Sequence, residues 1–214
     1  MRHYFFDLDG TLTDPGLGIT NSVQKALLAY GIYEEDRRKL YPFIGPPLAD
    51  SFVQYYGFSQ EQAREAITHF RAYFSVHGIF ENELYEGIPS LLKEMKEAGK
   101  KIYLATSKPE EFAVRILEHF QLLDFFDQVF GATMDEKGRV EKLDVLSFAL
   151  KQSGADPKDS FMIGDRKYDM EAGKKLGLST IGVLYGYGGK EELEKARADF
   201  ICENVSELKE ILLK

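Results

Sequence analysis

Short apolar runs alternate with longer stretches of helical spacing along most of the chain. The runs fall at residues 4–8, 101–105, 128–130, 161–163, 180–184 and 200–201. They are continuously apolar rather than alternating, the pattern of strands covered on both faces in a parallel sheet. Between them, residues 89–98 carry helical spacing and stop at Gly99, a natural C-terminal cap. Residues 110–120, 142–153 and 170–176 read the same way, the last ending at Gly177, and 206–213 predicts a closing helix. This alternation predicts an open α/β sheet with helices on both faces and right-handed crossovers.

One stretch breaks the rhythm. From residue 15 to residue 82 helical patterns follow one another at 19–30, 35–40, 48–56 and 60–77, with no convincing strand. A helical block of that length is too long for a crossover, so it reads as a subdomain inserted after the first strand. The expected division is a core of residues 1–14 and 83–214 and a helical insertion of residues 15–82. Within the insertion, Phe52, Tyr55, Tyr56, Phe70, Tyr73 and Phe74 fall at helical spacing and read as its own core. His69 and His77 have no neighbours that suggest a metal site. The segment 41–48, Tyr-Pro-Phe-Ile-Gly-Pro-Pro-Leu, is either a turn between helices or a loop with a functional task.

Composition narrows the setting. The chain has 214 residues, of which 44% are hydrophobic, and this excludes collagen-like and largely disordered classes. Cys202 has no partner for a disulfide, and a multi-cysteine zinc site is excluded with it. Asp7 falls where a signal peptide would keep its apolar run, and no apolar stretch approaches the ~18 residues needed to span a bilayer. A cytoplasmic protein with no membrane partner is expected. The net charge of −8 argues against a nucleic-acid partner, which needs a basic surface. Oligomeric state, monomer or homodimer, is left open.

Candidate chemistry collects at the strand ends. In an open parallel sheet, ligands bind beyond the carboxyl ends of the strands. The first strand ends in Asp7-Leu-Asp9-Gly10-Thr11, the second in Thr106-Ser107-Lys108, and the 161–163 strand in Gly164-Asp165-Arg166, with Asp169 one helical turn later. Lys142 opens the helix that precedes that last strand. Taken singly, each is commonplace: an Asp after a strand is usually a turn or cap residue, and a lysine is usually solvated. Their coincidence at one sheet edge is not. Asp7, Asp9 and Asp165 brought together repel one another, which calls for protons or a cation. An all-oxygen donor set favours a hard divalent ion, Mg²⁺ first. Thr106 and Lys142 suit phosphate oxygens, so an acidic protein can still hold a small anion.

These motifs resemble those of the haloacid dehalogenase-like hydrolase superfamily, and the resemblance runs along the whole chain. Residues 6–14, Phe-Asp-Leu-Asp-Gly-Thr-Leu-Thr-Asp, match its first motif; Thr106 matches the second, Lys142 the third, and Gly164-Asp165-Arg-Lys-Tyr-Asp169 the fourth. The inserted block resembles the cap that some members carry after the first strand of their Rossmann-like core. Residues 84–89, 105–109 and 182–188 are similar to phosphoglycolate phosphatase-like and 5′-nucleotidase-like members.

The resemblance implies a phosphatase for a small phosphorylated metabolite. Asp7 would be the nucleophile, forming an aspartyl-phosphate. Asp9 would protonate the leaving oxygen and then activate water. Mg²⁺ would be held by Asp7, the backbone carbonyl of Asp9, and Asp165, with Asp169 a water-mediated ligand or a support. Thr106 and Lys142 would hold phosphoryl oxygens, with Gly10 and Ser107 also at the substrate. The carboxylate at position 9 speaks against the namesake dehalogenation, since a halide leaves without a proton. A phosphomutase of the β-phosphoglucomutase kind and a non-catalytic binding protein on the same fold are the alternatives. The third-motif region lacks the family's common Lys-Pro pair, which leaves Lys137 as a competitor to Lys142. Position 107 is Ser where many phosphoglycolate phosphatase-like members have Asn.

Overall fold

A computed structural model describes residues 2–134 and 138–214. In chain order the elements are β1 (His3–Phe6), β2 (Thr13–Asp14), α1 (Gly16–Leu28), α2 (Leu48–Tyr56), α3 (Gln60–Phe74), β3 (Glu83–Leu84), α4 (Ile88–Glu97), β4 (Lys101–Pro109) and α5 (Glu110–His119). Then follow β5 (Gln128–Ala132), α6 (Lys142–Ser153), β6 (Ser160–Gly164), α7 (Lys167–Leu176), β7 (Ser179–Val183), α8 (Lys190–Lys195), β8 (Phe200–Cys202) and α9 (Val205–Leu212). Six strands form one sheet in the order β5-β4-β1-β6-β7-β8, and every pairing described in it is parallel. The α/β class expected from the continuous apolar runs is the class observed.

Alternate residues of each strand face opposite sides of the sheet. Phe5, Tyr103 and Met162 face α6 and α7, where they pack with Val145, Leu146, Ala149 and Ala172. The Phe5 and Tyr103 rings stack at 4.8 Å. Tyr4 points the other way, and its hydroxyl donates to the carbonyl of Leu212 on α9. Helices therefore cover both faces, which is why residues 4–6, 102–105 and 161–163 of the central strands form continuous apolar runs.

The chain divides into two compact units, one of Met1–Thr13 with Leu84–Lys214 and one of Asp14–Glu83. The second unit is helical. Its core holds Val23, Leu27, Phe52, Ile67, Phe70 and Phe74. Helix α3 starts at a reciprocal cap: Ser59 Oγ accepts from Gln62 N while Gln62 Oε1 accepts from Ser59 N.

The structure departs from the sequence reading in several places. In place of the α-helix patterned at 35–40 there is a 3-10 helix, Arg37–Phe43, with Asp36 capping its start and Pro42 inside it, which has no N–H to give. Helix α3 ends at Phe74, so His77 lies beyond it. Tyr55 is 45% exposed rather than part of the helical core. Helix α8 was not expected, because Leu193 is its one buried residue. Among the described residues, no helix is long and apolar enough to cross a membrane.

Candidate active site

Strand register brings distant residues to one edge. Phe6 of β1 lies opposite Leu104 of β4 and Ile163 of β6, so Asp7, Thr106 and Asp165 follow within two residues of one level. The backbone N–H of Asp7 continues the ladder, donating to the carbonyl of Ile163 at 2.9 Å. Asp7, Thr106 and Asp165 thus emerge side by side from parts of the chain far apart in sequence. One carboxylate oxygen from each of Asp7, Asp165 and Asp169 lies within 4.8 Å of the others, and all three residues are buried.

Lys142, the first residue of α6, enters this cluster as a buried ammonium. Its Nζ lies 2.7 Å from Asp7 Oδ1, 2.8 Å from Asp169 Oδ1 and 3.0 Å from the carbonyl oxygen of Ala105. The contact with Asp169 is an ion pair by distance, without the alignment of a hydrogen bond. Three oxygens thus surround the ammonium. Asp7 Oδ1 also accepts from the N–H of Leu8 at 2.8 Å, so this oxygen is anchored twice. Asp7 Oδ2 has no partner among the described residues. Burial works against the charge of Lys142, but Asp169 and Asp7 outweigh it and hold the amine above its ordinary pKa. Lys137, the competing lysine, lies outside the described residues.

Three carboxylates against one ammonium leave the cluster short of positive charge. Burial raises Asp165 well above the usual carboxylate range, and the charges of Asp169 and Asp7 push the same way. Burial and Asp7 likewise raise Asp169 to about 6 against the pull of Lys142. Asp165 Oδ2 accepts from the N–H of Tyr187 at 2.7 Å, while its buried Oδ1 has no hydrogen-bond partner. Backbone closes around this carboxylate. A Cβ on Gly10, whose φ is +78°, would fall within the Asp165 side chain, and one on Gly186 would strike both Asp165 and the Gly10 carbonyl. Only glycine fits either place. An orphaned, buried carboxylate oxygen within an all-oxygen cluster of excess negative charge fits a hard divalent cation.

Asp9 stands apart from that cluster. Its Oδ2 lies 2.7 Å from Lys108 Nζ, and its buried Oδ1 has no hydrogen-bond partner. Burial raises its pKa, and Lys108 opposes the shift. The loop carrying it is tight: the N–H groups of Thr11, Leu12 and Thr13 all point at the carbonyl of Leu8, and Tyr185 donates its hydroxyl to the carbonyl of Thr11. Thr106 is buried, and its Oγ1 accepts from the N–H of Lys108 at 3.2 Å, leaving its own proton without an acceptor among the described residues. Ser107 is half-buried beside it.

All the candidate residues of the core therefore gather at one edge. What sequence reading passes over is Lys108 as the partner of Asp9 and the Tyr187 N–H as the partner of Asp165. Lys108 was visible at the end of β4, but a lysine before a proline gives no sign that it turns inward. A backbone N–H has no residue signature at all.

Comparison with known proteins fits this geometry. The family model described as haloacid dehalogenase-like hydrolase matches residues 4–183. A 5′-nucleotidase of Pseudomonas aeruginosa is 42% identical over 207 residues, covering 97% of this chain and 93% of that protein. The tyrosine-protein kinase PtkA of Mycobacterium tuberculosis is 36% identical over 209 residues, covering 97% of this chain and 71% of that protein. A crystal structure described as a predicted phosphatase from Clostridium acetobutylicum superposes with a TM-score of 0.96 at 44% identity, covering 100% of this chain and 99% of that one. With the family model matched from β1 through β7 and relatives aligned over nearly the whole chain, the protein belongs to the haloacid dehalogenase-like hydrolases.

Proposed function

We propose that the protein is a Mg²⁺-dependent phosphatase that hydrolyses a small phosphorylated metabolite through an aspartyl-phosphate. The observation that carries this reading is the state of Asp7: one oxygen is fixed by Lys142 and the Leu8 N–H, and the other is left open. A carboxylate with one oxygen anchored and one free is a preoriented nucleophile. In the first half-reaction Asp7 Oδ2 forms a bond to phosphorus as the ester P–O bond breaks, and Asp9 gives a proton to the departing oxygen. In the second, Asp9 takes a proton from water as that water attacks phosphorus, and Asp7 is released with inorganic phosphate. Thr106 offers its hydroxyl proton to a phosphoryl oxygen, with Gly10 and Ser107 at the same edge. Lys142 restrains Asp7 and Asp169; to reach a phosphoryl oxygen it would exchange one of its three present partners.

Asp7, Asp165 and the backbone carbonyl of Asp9 would hold Mg²⁺, which when bound supplies the positive charge that the carboxylates lack and that a phosphoryl group needs. Asp169, engaged by Lys142 and by the Arg166 N–H at 3.1 Å, fits a supporting place. The helical unit is read as the cap that selects the substrate. The cytoplasm suits the lone buried Cys202.

The similarity to a 5′-nucleotidase makes nucleoside 5′-monophosphates the first substrates to try, with phosphoglycolate beside them. The test is inorganic phosphate release over a panel of such esters with Mg²⁺ and with chelator. Metal-dependent release from at least one panel member is expected. An inactive protein across the panel, or turnover indifferent to chelation, would overturn the reading.

A further inference from the structure

The site contains a second lysine that the chemistry above does not employ. Lys108 lies in the last part of β4, where pairing with β5 shifts register between Ala105 and Pro109. Such irregularities re-aim side chains beside functional sites. Here the backbone of residue 108 is tied down by its N–H to Thr106 Oγ1, and the side chain turns inward, 6% exposed, onto Asp9. The ammonium meets one carboxylate oxygen, Oδ2, at 2.7 Å. The other oxygen, Oδ1, is buried without a hydrogen-bond partner.

The two lysines pair with different carboxylates. Lys142 serves Asp7 and Asp169, and Lys108 serves Asp9. Asp9 could otherwise rotate about its side-chain bonds, since its backbone is set by the Gly10 N–H to Thr13 carbonyl contact and not by its carboxylate. Pinning one oxygen to a buried ammonium fixes which oxygen faces the reaction. A misplacement of about 1 Å in a reacting group can cost roughly a hundredfold in rate.

We infer that Lys108 is a positioning residue for Asp9, holding Oδ2 so that Oδ1 is the atom that exchanges a proton with the leaving oxygen and then with water. This rests on the proposed role of Asp9. Lys108 itself forms no bond with substrate in this account, and its effect passes through Asp9.

The test compares phenyl phosphate with p-nitrophenyl phosphate, two esters of like shape. Phenolate leaves poorly without a proton, whereas p-nitrophenolate needs little help. In the full-length protein with Mg²⁺, Lys108→Met is expected to lower kcat/KM for phenyl phosphate roughly ten- to a hundredfold more than for p-nitrophenyl phosphate. Lys108→Arg is expected to restore most of the loss. Asp9→Asn is the reference and should show the same bias toward the poorer leaving group. If Asp9→Asn is biased and Lys108→Met is not, the positioning role is overturned while the role of Asp9 stands. If Asp9→Asn lowers both substrates equally, both ideas fall. Should Lys108→Met fail to fold, judged by its thermal transition, Lys108→Gln carries the same comparison.

Discussion

Two assemblies of lysine and aspartate sit at the same sheet edge, and they are balanced differently. Around Lys142, the carboxylates of Asp7, Asp165 and Asp169 outnumber the single ammonium. Lys108 meets the carboxylate of Asp9, one ammonium against one carboxylate in that ion pair. Both assemblies are buried, so the difference is not one of solvent. The surplus on the Lys142 side costs stability unless a cation or a proton enters, while the Lys108–Asp9 contact pairs opposite charges directly. A surplus is what a metal site and a nucleophile require. A matched pair is what holds a proton-transfer group in place.

The largest effect should come from the carboxylate with the open oxygen. Asp7→Asn is expected to abolish phosphate release, a loss of at least about a thousandfold, because no other group replaces the nucleophile. Steady-state turnover of p-nitrophenyl phosphate measures it, and activity within tenfold of the parent would break the assignment of Asp7.

Asp165→Asn should separate stability from function. It removes one buried, uncompensated charge, so the metal-free protein should unfold at a higher temperature than the parent. Its thermal transition should also lose the upward shift that Mg²⁺ gives the parent. A variant still stabilised by Mg²⁺ to the parental extent would remove Asp165 from the metal site.

The surplus also sets a pH dependence of unusual sign for carboxylates. Asp165 and Asp169 have folded pKa values above the ordinary carboxylate value, the latter at about 6. The folded state therefore binds protons more readily than the unfolded state between that ordinary value and the raised ones. Stability contributed by these groups rises as pH falls through that window and is lost as pH rises. Metal-free protein should be more stable near pH 5.5 than near pH 7.5 in urea titrations, and saturating Mg²⁺ should shrink or reverse the difference. An unchanged pH slope with Mg²⁺ would contradict the account.

A smaller effect of opposite sign is expected away from the site. Asp127 accepts from Lys101, Lys96 and the Ile102 N–H, at 2.8, 3.3 and 2.9 Å. Burial works against its charge, but these donors prevail and hold its pKa below the ordinary value. Its contribution is full above the unfolded pKa and fades as pH falls through the folded one. Asp127→Asn should destabilise by about 1 kcal/mol at pH 7 and by little at pH 3. A gap that widens in acid would contradict the sign.

The features legible in the sequence were those that burial writes into residue type. Continuous apolar runs at β1, β4, β6 and β7 gave away a sheet covered on both faces, and with it the edge where Asp7, Thr106 and Asp165 meet. Helix α6 was legible, and so was Lys142 as its first residue. Short or polar elements were not: β2 and β3 have two residues each, and α8 buries only Leu193. The 3-10 turn at Arg37–Phe43 follows the helical pattern but holds Pro42. Lys108 and the Tyr187 N–H escaped because a register shift and a backbone group carry no compositional mark.

The central claim is that Asp7 takes the phosphoryl group covalently. Acid quenching during turnover of p-nitrophenyl phosphate, followed by mass analysis of the peptide containing residue 7, tests it directly. A peptide heavier by one phosphoryl group, formed at a rate matching turnover and absent in Asp7→Asn, is the result expected. Turnover with no phosphorylated peptide, or with the label on another residue, would contradict it.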